Sequence, residues 1–480
     1  MIFVSTEFLI FFVVIYGIYL LFRQFRLWGG AKIVLLVGSL ISYGFWYYPY
    51  LLILIISISV DFFCGNQIAK TENPNSRKAL LSVSILTNLG ILGFFKYYNF
   101  FIENVTPFIS ELGVDVNQER LELLLPIGIS FYTFQSMTYT LDIYRRKLTP
   151  ICSFFDFSLY VSFFTQLVAG PIVRAGQFLP QLARQREITA AMIKWGMFLI
   201  ILGAFKKLVI ADNLAFYVDW FFALPSYEEV HSITAWLVMI AYSVQIYSDF
   251  SGYTDMAIGM GWLLGFKLPA NFYYPYIALG FTDFWRRWHI SLSQWIRDYI
   301  YIPLGGNQRG ETRTLVNVTV TMFLGGLWHG ASWLFVVWGL LHGFYLIVDH
   351  IILRKYVYPL CQAPGGVSVF ISGFTRFLTF MAVVYAWVFF RSQSFDQALQ
   401  ISNVMFTHFA GYTMKGFTYL FMAEYWGIII VMHLVVLVWM KDGLHRRFSP
   451  IIYFPAGVLM LFCLLFFRVS HGNAFIYFAF

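Results

Sequence analysis

Long apolar runs, broken by short polar loops, fill this chain from one end to the other. They occupy 8–22, 33–48, 50–65, 79–98, 123–142, 152–170, 195–211, 232–248, 315–333, 335–352, 368–390, 425–440 and 451–468. Most approach the roughly 20 residues a helix needs to cross a bilayer core. Two further stretches, 253–266 and 281–300, are too short or too charged to cross simply. They read as re-entrant or interfacial helices, which a membrane tolerates where protein or water covers the backbone. The pattern predicts an all-α polytopic membrane protein with roughly 11–14 membrane segments, re-entrant ones included. No repeat of obvious period and no low-complexity linker divides it, so one integral-membrane domain over 1–480 is expected.

Composition sharpens this picture. The chain is 59% hydrophobic and 12% charged, against about 25% charged residues in soluble domains. The aromatic share of 21% suits lipid-facing bulk and interfacial belts. The net charge of +8 is strung along short loops, where positive-inside topology accounts for it, so nucleic-acid binding is excluded as a reading. The loops holding Arg23/Arg26/Lys32, Lys70/Arg77/Lys78, Arg145/Arg146/Lys147 and Arg184/Arg186/Lys194 are expected inside. Two acidic loops, one with Glu103, Glu111, Asp115, Glu119 and Glu122, the other with Asp219, Glu228 and Glu229, are expected outside. Carried along the chain, this puts 267–313 inside and both termini, including the tail His471–Phe480, on the outer face. The run 152–170 fits badly, because basic loops flank it on both sides; it is re-entrant, or the rule fails there. Cys64, Cys152, Cys361 and Cys463 have no metal-ligand spacing and suggest no disulfide framework. The start, Met1–Phe22, lacks a basic opening and a small-residue cleavage site, so a retained first helix is expected.

Against this apolar background two histidines stand out. His329 lies in Gly325-Gly326-Leu327-Trp328-His329-Gly330, within a run containing little else that ionises. An ionisable group at membrane depth usually has a function, and a neutral imidazole can serve as a general base near working pH. The glycines permit close helix packing or backbone approach to a ligand. The alternative is a buried histidine donating to a carbonyl of a neighbouring helix. His289 lies in Phe284-Trp285-Arg286-Arg287-Trp288-His289-Ile290-Ser291, with Arg297 following. At helical spacing Arg286 and His289 share a face. Arg286, Arg287 and Arg297 suit an anionic donor such as the phosphates of coenzyme A; they suit interfacial anchoring equally well. His289 itself fits a ligand site, a helix cap or a hydrogen-bond network.

A third polar set runs from Tyr247 to Asp255. Asp249 and Asp255 within it could orient an imidazole, pair with the arginines, or satisfy backbone at a helix break. Asn307 follows Pro303-Leu304-Gly305-Gly306, where a tight loop is expected. His342 could face the same interior as His329, but no carboxylate or His-x-x-x-His pattern supports a metal, and no metal site is expected. There is no nucleophile elbow and no phosphate loop. Two function classes remain open on these residues. One is an enzyme moving an acyl group; the other is a proton-coupled transporter with the histidines as relays. Inverted repeats would favour transport, and the sequence carries no such symmetry.

Several stretches together resemble the membrane-bound O-acyltransferase (MBOAT) family, in its bacterial polysaccharide O-acetylation branch. They are Leu125-Pro126-Ile127-Gly128-Ile129-Ser130-Phe131-Tyr132-Thr133-Phe134-Gln135, Val168-Ala169-Gly170-Pro171-Ile172, Tyr247-Ser248-Asp249-Phe250-Ser251-Gly252, and the two histidine segments. The resemblance covers most of the chain. It implies a helical ring around a membrane-spanning tunnel, with a core at about 120–350 and peripheral helices at 1–119 and 351–480. The family's two marker histidines fall on His289 and His329, His329 being the catalytic candidate. No bound cofactor is implied; the co-substrate would be acetyl-CoA or an acyl-carrier thioester in the cytoplasm of a bacterial cell, whose inner membrane holds the protein. The end of the chain, Phe475-Ile476-Tyr477-Phe478-Ala479-Phe480, resembles an acyl-accepting tail motif of the same branch. It makes Tyr477 a candidate acyl relay to a periplasmic or extracellular partner transferase, with an exported polysaccharide such as alginate as final acceptor. The alternative for Tyr477 is an aromatic anchor. D-alanyl transfer to teichoic acid is the related alternative activity.

Overall fold

The computed structural model describes residues 2–111, 121, 124–168, 170–409, 427–429, 445–468 and 475–476, with backbone alone over 445–454. Every regular element among them is helical. Among the described residues five helical stretches are long and apolar enough to cross a membrane: Thr6–Gln24, Tyr50–Lys70, Pro74–Glu111, Trp333–Gln362 and Gly366–Arg391. Trp28–Gly44 and Pro455–Phe467 are shorter apolar helices. Their faces expose large apolar side chains in quantity, such as Leu9, Leu86, Phe370 and Leu465. In water this would be untenable; in lipid it is what a multi-pass helical membrane protein presents. The expected run 425–440 falls largely outside the described residues.

The helices form two compact units, residues 1–200 with 253–269, and residues 201–252 with 270–480. The first unit holds α1 (Thr6–Gln24), α2 (Trp28–Gly44), α3 (Tyr50–Lys70), α4 (Pro74–Leu92), α5 (Tyr98–Glu111), α6 (Ile129–Tyr144), α7 (Phe154–Ser162), α8 (Ala175–Leu182) and most of α9 (Ala190–Phe205). Several of its buried polar side chains pair with one another. Buried Asp61 on α3 accepts from Ser84 Oγ at 2.5 Å and Asn88 Nδ2 at 2.9 Å on α4, and from Ser136 on α6. Tying three helices together this way satisfies groups that lipid cannot.

The misfit run 152–170 resolves in this unit. Helix α7 has 9 residues, about 13 Å at the α-helical rise, far short of a crossing. Irregular backbone follows it, where the Phe164 N–H donates to Ser39 Oγ at 3.1 Å, and buried side chains tie this segment and α7 to α6. Gln135 Nε2 and Gln166 Nε2 both donate to the Tyr160 carbonyl, and Tyr160 Oη donates to the Gln135 and Val173 carbonyls. The segment therefore does not cross as a single helix.

The second unit holds α10 (Asp212–Phe222), α11 (Ser232–Leu264) up to Gly252, α12 (Phe281–Arg287), α13 (Ile290–Ile296), α14 (Glu311–His329), α15 (Trp333–Val348), α16 (Tyr358–Gln362), α17 (Gly366–Arg391), α18 (Phe395–Thr407) and α19 (His445–Phe467). Helix α11 corrects the expected boundary at 248–253. It runs unbroken for 33 residues, because Ser248, Asp249, Ser251 and Thr254 are buried in its interior and do not cap a break. The stretch 281–300 divides instead. Trp288 is extended and His289 takes the left-handed conformation, φ 41° and ψ 55°, so α12 ends and α13 starts afresh. Asn271 fixes the new start: its carbonyl accepts from the Ile290 N–H at 2.8 Å and its Oδ1 accepts from Ser291 Oγ at 2.6 Å. Arg286 and His289 consequently do not share a helical face. Arg286 is exposed while His289 is fully buried.

Candidate functional site

Helix α14 delivers His329 as its last residue, where Gly330 turns the chain into extended backbone. Its position follows from two glycines facing each other on α14 and α15. A Cβ on Gly326 would lie 2.3 Å from the Phe335 carbonyl oxygen, and one on Gly339 would lie 2.4 Å from the Met322 carbonyl oxygen. Neither site admits a side chain, so the two helices approach to backbone contact. Gly330 packs against the Phe335 ring in the same way. His329, 4% exposed, is thereby held with Trp338 of α15 and Phe390 of α17 edge-on at 4.8 and 5.2 Å between ring centroids.

His289 reaches the same cluster from the α12–α13 turn. The Trp328 ring touches both imidazoles, His289 at 5.9 Å and His329 at 4.9 Å between centroids. The two histidines therefore share one aromatic neighbour, and the ring packing continues outward from Trp338 and Phe390 to Trp387, Trp288 and Phe284. On its other side His289 packs edge-on against Phe250 of α11 at 4.8 Å.

One turn of α11 links this cluster to a buried ion pair. Asp249 precedes Phe250, and its Oδ1 lies 2.8 Å from Lys207 Nζ. The same ammonium lies 2.9 Å from Asp212 Oδ1. All three side chains are almost completely buried. Lys207 sits in a π-helical turn, Lys206–Ala211, which aligns it with a partner five residues on. The missed signal was present: a lysine inside the apolar run 195–211 is an intramembrane ionisable residue, which defaults to a functional assignment.

The C-terminal tail enters here. The backbone N–H of Ile476 donates to Asp249 Oδ2 at 2.6 Å. Phe475 is 1% exposed and its ring lies 5.8 Å from Phe250, the residue packed on His289. Tyr477, next in the chain, lies outside the described residues.

The remaining expected residues stand apart. Arg287 pairs with Asp283 at 2.9 Å on its own helix, and Arg297 pairs with Asp298 at 2.7 Å. Arg286, Arg297 and Asn307 are exposed. Asn307 sits in the turn after Gly306, whose φ is 54°, and it is Asn317 that ties that turn to α14 through the Gly306 carbonyl. Asp255 belongs to the other compact unit. The geometry thus gathers His289, His329 and Asp249 with Lys207 and the tail, leaves Arg286, Arg297 and Asn307 exposed, and leaves Arg287 half-buried on Asp283.

Chemically, two imidazoles lie in an aromatic surround, next to a neutralised carboxylate that grips a peptide backbone. Such a set can move a proton from a hydroxyl and exclude water from a reactive ester. Comparison with known proteins adds the chemistry's class. A model of the membrane-bound O-acyltransferase family, MBOAT, matches residues 80–364. A protein named peptidoglycan O-acetyltransferase from Helicobacter pylori is 38% identical over 404 residues, covering 78% of this chain and 73% of its own. A probable alginate O-acetylase AlgI from Azotobacter vinelandii is 37% identical over 418 residues, covering 86% of this chain and 80% of its own. A teichoic acid D-alanyltransferase from Bacillus subtilis is 29% identical over 253 residues, 50% of this chain and 62% of its own.

Proposed function

This chain belongs to the membrane-bound O-acyltransferase family, and from that premise we propose that it carries an acetyl group from a cytoplasmic thioester to an exported polysaccharide. It is an O-acyltransferase and a multi-pass membrane protein. Acetyl-CoA is the proposed donor, and a bacterial inner membrane with both termini outside is the proposed setting. The relatives named for O-acetylation match over more of this chain and at higher identity than the one named for D-alanyl transfer, which favours acetyl over D-alanyl. A proton-coupled transporter is the weaker reading, because family membership supplies a transfer chemistry that transport does not need.

His329 acts as the base in this proposal. It takes the proton of the acceptor hydroxyl as the oxygen attacks the thioester carbonyl. The new C–O bond forms, the C–S bond breaks, and the departing thiolate takes up the proton. His289, on the far edge of Trp328, positions the acyl group. A phenol has a pKa of about 10 and needs such a base to become nucleophilic. Tyr477 is the proposed first acceptor, passing the acetyl group to a partner transferase on the outer side.

The observation carrying this reading is the anchoring of the tail at the histidine cluster: Ile476, the residue before Tyr477, is held by Asp249, and Phe475 packs on the ring that packs on His289. Mass analysis of the purified chain incubated with acetyl-CoA tests it. An acetyl group on Tyr477, absent from His329→Ala, supports the relay. Full polysaccharide acetylation by Tyr477→Phe, which keeps the aromatic ring and removes the hydroxyl, contradicts it.

A further inference from the structure

His342 takes no part in the chemistry just described, yet it is placed in the same aromatic cluster. It lies on α15, is fully buried, and neither ring nitrogen has a hydrogen-bond partner among the described residues. A neutral imidazole carries one donor and one acceptor, and leaving both unmet in an interior is unfavourable. Phenylalanine would pack in this surround without that cost.

Its neighbours share the condition. Trp338 lies 4.8 Å from the His342 centroid, Trp285 5.1 Å and Trp387 6.4 Å. The indole Nε1 of each is buried and has no hydrogen-bond partner among the described residues. Indoles only donate, so three N–H groups and one imidazole form a donor-rich set whose single acceptor is on His342. Buried water, which makes two to four hydrogen bonds and can both donate and accept, is the ligand class that meets such a set. Phe284 stacks on a face of the imidazole and Tyr345 packs edge-on against it, so both add apolar ring surface.

The link to the proposed base is direct. Trp338 packs edge-on against both imidazoles, at 4.8 Å from His329 and 4.8 Å from His342. The backbone contact of Gly326 with Gly339 fixes α14 against α15, so neither histidine can shift without its neighbour. We propose that His342 is a positioning residue for His329, acting through ordered water shared with the ring N–H groups of Trp285, Trp338 and Trp387. The hydrogen bonds of that water set the tilt of Trp338, and Trp338 sets the orientation of the His329 ring. This inference rests on the reading of His329 as the base.

The test measures thiol release from acetyl-CoA by the purified full chain as a function of pH, with thermal midpoints in the same detergent. Wild type is compared with His342→Phe, which keeps the aromatic packing, and His342→Gln, which keeps hydrogen bonding without titrating. We expect His342→Phe to lower kcat about tenfold or more, as loss of catalytic orientation does, with KM and thermal midpoint unchanged and the acid limb of the pH profile moved. His342→Gln should retain most of the turnover and the wild-type profile. Wild-type kcat and profile in His342→Phe would overturn the proposal. Equal losses in both variants with a lowered thermal midpoint would overturn it as well, since packing alone would explain them. Should His342→Phe fail to accumulate, His342→Leu is read by the same criteria. Absence of thiol release by wild type would instead count against the acyl-transfer reading.

Discussion

The backbone N–H of Ile476 donates to Asp249 Oδ2 at 2.6 Å, and the other oxygen of that carboxylate is held by Lys207 at 2.8 Å. A carboxylate buried in a membrane protein needs a counter-charge, and Lys207 supplies it while leaving one oxygen for the tail. Asp249→Ala should therefore release the tail and lower acetyl transfer strongly. Limited proteolysis of the C-terminus checks the first effect and a transfer assay the second. A tail that stays protected in Asp249→Ala would show that Phe475 packing alone holds it.

Removing the ammonium has a different signature. Lys207→Met leaves Asp212 and Asp249 facing each other without compensation, a loss of about 3–5 kcal/mol for a broken buried pair. The thermal midpoint should fall sharply, and adding Asp249→Asn should restore part of it. If the double variant is no more stable than the single one, the triad is not a coupled unit.

The glycine pair offers a matched control. Gly326→Ala drives a Cβ to 2.3 Å from the Phe335 carbonyl oxygen, whereas a Cβ on Gly325 meets only Ile296 Cδ1 at 3.6 Å. Both changes gain the same intrinsic helix preference, about 1 kcal/mol, so their difference isolates packing. Gly326→Ala should destabilise by about 1–3 kcal/mol and displace His329, while Gly325→Ala should be neutral or stabilising. Equal midpoints would argue against close α14–α15 packing.

His289 can be tested apart from its backbone. Its left-handed conformation is one that asparagine also tolerates. His289→Asn should preserve the α12–α13 turn, with a small change in thermal midpoint, and still reduce turnover. Wild-type turnover in His289→Asn would reassign the residue to the turn alone.

Much of the site was legible in the sequence for a physical reason: lipid tolerates few polar groups, so His329 in an apolar run announces itself. The same logic singles out Lys207 inside the apolar run 195–211, while its pairing with Asp212 and Asp249 emerges only from the fold. The course of the chain was harder to read. Polar residues from Ser248 to Thr254 suggest a helix end, yet an α-helix satisfies its own backbone, these side chains are buried along its length, and the charged one, Asp249, is paired with Lys207. The break at His289 depends on Asn271, distant in sequence, bonding Ile290 and Ser291, and no local pattern reveals such a partner. Arg286 and Arg287 were legible as a basic pair, while the exposure of the one and the Asp283 pairing of the other emerge only from the fold.

The central claim is that acetyl groups reach the polysaccharide through His329 and the anchored tail. Mass analysis of acetyl groups released from isolated exopolysaccharide measures it most directly, in cells expressing wild type, His329→Ala or Tyr477→Phe at equal membrane levels. The account predicts acetyl release from the wild type and none above background from either variant. Wild-type acetylation with His329→Ala would contradict it.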